Sequence, residues 1–379
     1  MLDYASLRLI WWLLLGILLI GFAVMDGFDM GVGILLHRVA RTNKERRVVI
    51  NTIGPIWEGN QIWLILGAGA IFAAWPTLYA VSFSGFYFAM LAVLAALILR
   101  PVGMKYRSKI NSPKWRAIWD IGIFIGGFVP ALIFGVAIGN VLEGVPFHFD
   151  SSLRAFYTGS FLGLLNPFAL VCGVLSVAML SMHGAMFLAI KTEDKIQKRA
   201  IHYGNLAAAL TIILFLMAGI WASKGLHGYA LLGELIKDGP SNPLYKKVVT
   251  MKGAWMLNYH IEPQLLLAPV LGVSGAALSV IFSNVHCMRA AWCMSALSVA
   301  SIIATVGVSM FPFILPSSTD PSMSLMVWDA SSSQLTLFIM LIATAIFLPL
   351  ILIYTSWVYY VLRGKVTESV IEENSDKMY

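Results

Sequence analysis

Three carboxyl groups sit where almost every neighbour is apolar. Asp26 and Asp29 lie in Met25-Asp-Gly-Phe-Asp-Met-Gly-Val-Gly33, and Glu58 lies in Trp57-Glu-Gly-Asn-Gln-Ile-Trp63. An ionisable side chain near the centre of a bilayer costs about 2.5–3.5 kcal/mol on insertion scales, so acids in such places face protein or water and commonly mark proton or ion paths. Asp26 and Asp29 share one helical face, and the glycines beside them let a second helix approach closely. Asp29 precedes the basic loop that begins at His37, and Glu58 follows Asn51. At about 1.5 Å rise per residue, both carboxyls then fall roughly 10–12 Å inside the same boundary. The expectation is a ladder of Glu58, Asp29 and Asp26 rising from the basic side toward the midplane, extended by Asn60 and Gln61. Two plainer readings use the same residues: neutral, hydrogen-bonded acids that join helices, or acids that hold Arg38 or Arg47 in structural ion pairs.

Other chemistries have less to work with. Of the seven histidines only His183 falls well inside an apolar run. With no second histidine at helical spacing, it reads as a packed polar residue rather than an axial haem ligand. Cys172, Cys287 and Cys293 form no CxxC, no haem-attachment signature and no zinc spacing, and are expected as free thiols facing apolar surroundings. Trp11, Trp12, Trp75, Trp328 and Trp357 suit interfacial belts. No phosphate loop, hydrolase triad or metal cluster is legible, so no metal site and no catalytic residue is assigned to this chain.

The elements that must carry the acids are membrane helices. The chain has 379 residues, 59% of them hydrophobic and 12% charged, against roughly 45–50% and 25% in soluble domains. That excludes a soluble enzyme. Apolar runs near 8–36, 51–73, 78–100, 118–142, 161–190, 201–223, 261–284, 290–313 and 335–362 give about nine spans in an all-α bundle. With the N-terminus outside and the C-terminus inside, all but seven of the 26 Lys and Arg fall in inner loops. The outer seven are Arg8, Arg154, Lys224, Lys237, Lys246, Lys247 and Lys252. The net charge of +7 is thereby a matter of topology, not of nucleic-acid binding. The first run has an acid in its basic flank and no small-residue cleavage site, so it is expected to be retained. Residues 1–379 read as a single integral membrane domain. Its longer outer connections are 224–260 and 314–334, and Asp329 and Ser331 are candidate caps for the last span. Gly16, Gly21, Gly27, Gly31 and Gly33 make the first span a contact helix, for a partner or within the chain.

In order along the chain come Arg8-Leu-Ile-Trp-Trp-Leu, Asp26-Gly-Phe-Asp-Met-Gly, Trp57-Glu-Gly-Asn-Gln-Ile-Trp-Leu, Phe72-Ala-Ala-Trp-Pro, Arg100-Pro-Val-Gly, Tyr106-Arg-Ser-Lys109, Asn166-Pro-Phe, Gly253-Ala-Trp, Met310-Phe-Pro-Phe and Trp328-Asp-Ala-Ser-Ser-Ser-Gln-Leu-Thr. In this order they resemble subunit II of the cytochrome bd quinol oxidases, essentially end to end. The resemblance implies a heterodimeric terminal oxidase of the bacterial cytoplasmic (inner) membrane that oxidises quinol on the outer side and reduces oxygen to water. It implies two b haems and a haem d ligated mainly by subunit I, which also carries the quinol-oxidising loop. Subunit II then supports assembly, can hold a bound quinone, meets lipid and in some complexes a small single-span accessory subunit, and supplies part of a cytoplasmic proton path. Carried over by motif, the path residues are Glu58, Lys109 and Tyr379, with Asp29 and Asp26 beside them. The chain departs from the family pattern in having Glu58 where Asp is common, Lys105 where an acid is common, and Ile56 where a histidine is common. Proton motive force then arises by charge separation, without pumping. A proton- or cation-coupled transporter is the competing reading of acids in glycine-interrupted helices, and a purely structural subunit is another.

Overall fold

A computed structural model describes residues 2–233 and 236–373; Tyr379 lies outside the described residues. Thirteen α-helices are described: α1 (Tyr4–Val39), α2 (Asn43–Ile53), α3 (Trp57–Ala74), α4 (Pro76–Gly85), α5 (Tyr87–Tyr106), α6 (Pro113–Glu143), α7 (Pro167–Lys191), α8 (Asp194–Lys224), α9 (Leu257–Ile261), α10 (Leu267–Asn284), α11 (Met288–Met310), α12 (Gln334–Val361) and α13 (Glu368–Glu373). Among the described residues, eight helices are long and apolar enough to cross a bilayer. They are α1, α5, α6, α7, α8, α10 with its leading 3₁₀ turn, α11 and α12.

The second expected span differs from its reading. Gly54 and Pro55 interrupt it, so that Asn43–Ile53 forms the separate short helix α2. Thr42 and Glu45 close a capping box at its start, and its apolar residues Val48, Val49, Ile50 and Ile53 turn inward. What remains is α3, 18 residues whose opening Glu58, Asn60 and Gln61 dilute its hydrophobicity. The third expected span likewise begins as α4, started by Pro76 at its first turn, and continues as α5.

α1 is the hub, packed against α3, α6, α7 and α11. Its closest crossing is with α7. A Cβ on Gly31 would strike the Leu180 carbonyl, and one on Gly184 would meet the Gly31 backbone at 2.6 Å. Gly21, Gly27 and Gly33 also pack inside the chain, whereas Gly16 meets nothing within 4 Å. α7 is almost enclosed, while α12 buries only Leu337.

One end of the bundle is capped by three antiparallel hairpins: β1 (Phe147–Phe149) with β2 (Ala155–Tyr157), β3 (His227–Leu232) with β4 (Lys247–Lys252), and β5 (Phe313–Leu315) with β6 (Leu325–Met326). The first of these occupies 144–166, a third long connection, so the fifth span starts at Pro167 behind the Asn166 cap. The hairpins are bolted to the helices. Buried Arg8 donates to the carbonyls of Lys237 (2.5 Å) and Gly239 (3.0 Å) and to the hydroxyls of Ser241 and Ser331. Lys246 pairs with Asp329 at 2.6 Å. Asp329 and Ser331 are thus tertiary anchors, and the cap of α12 is Ser333, which accepts from Thr336 N at 3.2 Å. Trp11, Trp75 and Trp328 are buried beneath this cap instead of lying in an interfacial belt.

The opposite end collects the basic loops. Asp120 accepts from Arg46 at 2.8 Å and Arg107 at 2.5 Å, joining α2, α5 and α6. Glu45 accepts from Arg199 at 2.9 Å, joining α2 to α8. Lys191 Nζ donates to the Leu362 carbonyl and Val366 N donates to the Lys191 carbonyl at 2.8 Å, which folds the tail back and seats Ile371 against the bundle.

Candidate functional site

The polar centre of the bundle is built on the hub helix. Asp26 and Asp29 are three residues apart on α1, and both are fully buried. Arg100, from α5, donates through Nη2 to Asp26 Oδ1 at 2.6 Å, with neither side chain exposed. Asn60, from α3, donates through Nδ2 to Asp29 Oδ2 at 2.8 Å. Tyr359, near the end of α12, donates its hydroxyl to Asn60 Oδ1 at 2.7 Å. Four helices therefore converge on two adjoining sets of contacts, Arg100 to Asp26, and Tyr359 through Asn60 to Asp29. The ion partner of the aspartates is Arg100, in place of Arg38 or Arg47.

Glu58 does not join this cluster. Residues two apart on an α-helix point roughly 200° away from each other at 3.6 residues per turn, so α3 cannot aim both Glu58 and Asn60 at α1. The structure aims Asn60 inward and leaves Glu58 exposed on the outer face of the bundle. The three-carboxyl ladder is thus two separate features: a buried aspartate pair and an exposed glutamate one helix away. Lys109 is exposed just past the end of α5, at the basic end of the bundle.

His183 is fully buried between α1 and α11. Its Nδ1 lies 2.8 Å from Ser295 Oγ and its Nε2 lies 3.0 Å from the Val24 carbonyl, and its ring stacks on Trp292. With both ring nitrogens engaged, His183 has no lone pair to offer a haem iron, and no group of three metal-ligating side chains is found among the described residues. His183 is therefore not placed as an axial haem ligand. The three cysteines are unpaired; Cys172 is buried, while Cys287 and Cys293 are exposed near the junction of α10 and α11.

Asn60 extends the aspartate pair as the sequence suggested, whereas Arg100, Tyr359 and Asp120 are polar residues whose roles the sequence pattern does not reveal. Arg100 sits at the boundary of an apolar run and reads as a loop cation. Asp120 sits at the start of one and reads as an interfacial acid. A basic residue placed in phase with Asp26 across two helices was the available signal, but it depends on knowing which helices are neighbours.

Comparison with known proteins agrees with this architecture along its whole length. Residues 7–362 match the family model described as cytochrome bd terminal oxidase subunit II. The chain is 50% identical over 379 residues to a probable cytochrome oxidase subunit 2 of Haemophilus influenzae, with both chains fully covered. It is 49% identical over 381 residues to the cytochrome bd-I ubiquinol oxidase subunit 2 of Escherichia coli K12, again with full coverage. The cytochrome bd ubiquinol oxidase subunit 2 of Bacillus subtilis is 31% identical, covering 96% of this chain and 98% of that one. In fold, the chain is similar to a chain of the bd oxidase of Geobacillus thermodenitrificans, with a TM-score of 0.69 over 98% of this chain and 100% of that one at 14% identity. Each of these relatives is named as an oxidase or one of its subunits, and the transporter reading has no support among them. The chain belongs to the cytochrome bd terminal oxidase subunit II family.

Proposed function

We propose that the chain is the haem-poor second subunit of a quinol:oxygen oxidoreductase and that its own contribution to turnover is proton delivery. The family's oxidases use haem and quinol, and a second subunit implies a first. In this reading the partner, subunit I, ligates two b haems and a haem d. The bilayer supplies lipid and quinone, which the chain can also hold bound, and a small single-span accessory subunit is a further contact. The hairpin end with the N-terminus faces outward and the basic end inward, following the charge distribution of the loops.

The observation that carries the proton role is the position of Glu58. A carboxyl at membrane depth is rarely left to lipid, yet Glu58 is exposed on the bundle's flank, where only water or another protein can solvate it. The neighbouring exposed apolar side chains Ile62 and Ile65 suit cover by the partner. A proton taken up near Lys109 at the inner surface would pass along that seam by way of Glu58, with Tyr379 a further member by its motif; the buried Asp29 and Asp26, separate from Glu58, would serve delivery from within the bundle.

The test is Glu58→Gln in the purified complex. Oxygen uptake driven by quinol is expected to fall at unchanged haem content. Full uptake removes Glu58 from the path, and loss of haem makes its role structural.

A further inference from the structure

Four of the buried polar atoms that meet no partner among the described residues belong to this one cluster: Asp26 Oδ2, Asp29 Oδ1, and Arg100 Nε and Nη1. All three side chains are fully enclosed, and each interacts electrostatically with the others. Native proteins rarely leave such atoms bare. When protein does not satisfy them, ordered water does, provided that one place offers it two to four polar contacts. Asp26 and Asp29 stand about one helical turn apart on α1 and Arg100 is bonded to Asp26, so two open acceptors and two open donors are gathered around that turn.

Charge adds a second constraint. The site holds two carboxyls and one guanidinium. The other groups turned toward it are the Asn60 amide from α3 and the Tyr359 hydroxyl from α12. His183 of α7 is committed to Ser295 and the Val24 carbonyl, so among the described residues no second cation answers the second carboxylate. An enclosed net charge is strongly disfavoured, and one proton removes it. Asp26 is held by Arg100. Asp29 receives only an amide N–H on Oδ2, so its open Oδ1 is the atom on which a proton can reside.

We propose that the Asp26–Arg100–Asp29 cluster is an internal water site holding one exchangeable proton, carried on Asp29 Oδ1 and directed at water that also touches Asp26 Oδ2 and the free N–H groups of Arg100. Release passes the proton from Asp29 Oδ1 to that water and leaves a carboxylate facing Arg100; uptake is the reverse, and no other bond changes. The proposal deepens the proton-delivery reading and rests on it for its use in turnover, but its first readout does not.

That readout is the infrared carbonyl stretch of a protonated carboxylic acid that moves on exchange into D2O, recorded on the purified complex. The band is expected in the unaltered complex and in Glu58→Gln, and lost in Asp29→Asn, which mimics the neutral acid in shape. Asp29→Glu, which keeps a carboxyl, is expected to displace it and serves if the asparagine variant does not assemble. A band unchanged in Asp29→Asn, or unmoved in Asp29→Glu, overturns the proposal. Oxygen uptake separates the two readings: a lost band with undiminished uptake upholds the proton site and removes Asp29 from the delivery path.

Discussion

Arg100 is the residue on which the interior depends most heavily. Its ion pair with Asp26 is wholly out of water, and removing one member of such a pair leaves an uncompensated buried charge, at a cost of about 3–5 kcal/mol. Arg100→Gln is therefore expected to lower the thermal stability of the purified complex sharply. The double change Arg100→Gln with Asp26→Asn should recover most of that loss, because it leaves no lone charge behind. A double variant no better than the single one would show that Arg100 acts through something besides Asp26. The identity of the acids was legible in the sequence because a carboxyl in an apolar run is conspicuous. Asn60 was legible as an extension of the pair, but Arg100 and Tyr359 were not, since they lie 74 and 299 positions from Asp26 and Asn60, the residues they touch.

At the scale of elements, the arrangement is set by how closely α1 can approach its neighbours. Gly31 allows the helix backbones of α1 and α7 to touch, since any side chain there would strike the Leu180 carbonyl. Gly16 faces open space. Gly31→Ala is expected to destabilise by about 1–3 kcal/mol, the usual cost of overpacking a filled core, and Gly16→Ala to leave the melting temperature unchanged or slightly raised. Comparable melting of the two variants would deny the crossing its importance. The run of glycines in α1 is plain in the sequence, and two uses for it stood open; the structure spends most of them inside the chain. The break that separates α2 from α3 was written in Gly54-Pro55, but the apolar residues on both sides masked it, because hydropathy does not register a change in helix direction.

Across the whole molecule, ion pairs gather at the two ends and, in the middle, at Asp26 and Arg100. At the basic end Glu45 caps α2 and binds Arg199 of α8. Burial alone would raise its carboxyl, but the Arg199 side chain and the backbone N–H groups of Arg41 and Thr42 outweigh that and hold it below the ordinary glutamate range. A group with a depressed folded value adds stability above its unfolded value, about 4.3, and that contribution fades as pH falls through the folded value. The stability lost in Glu45→Gln should accordingly be constant above about pH 5 and shrink as the solution becomes more acid. Thermal melts of both forms across this range check it, and a gap that widens toward acid pH would reverse the assignment. At the hairpin end, burial raises the Asp329 carboxyl and lowers the Lys246 amine, each effect partly offset by the other's charge. That pair clamps the hairpin cap to the bundle.

Sequence by itself determined that this is a multi-pass helix bundle, because hydrophobicity over some 20 residues is a local property that the bilayer reads directly. It also determined the family, since short strings in a fixed order survive without knowledge of their contacts. Tertiary structure alone decided which acids face each other. Helical phase sends Asn60 inward and Glu58 outward from the same turn of α3. Only the packing of α1 against α3, and the placing of α5 and α12 beside them, brings Arg100 to Asp26 and Tyr359 to Asn60. The same holds for Asp329 and Ser331, which resemble caps in one dimension and are anchors in three.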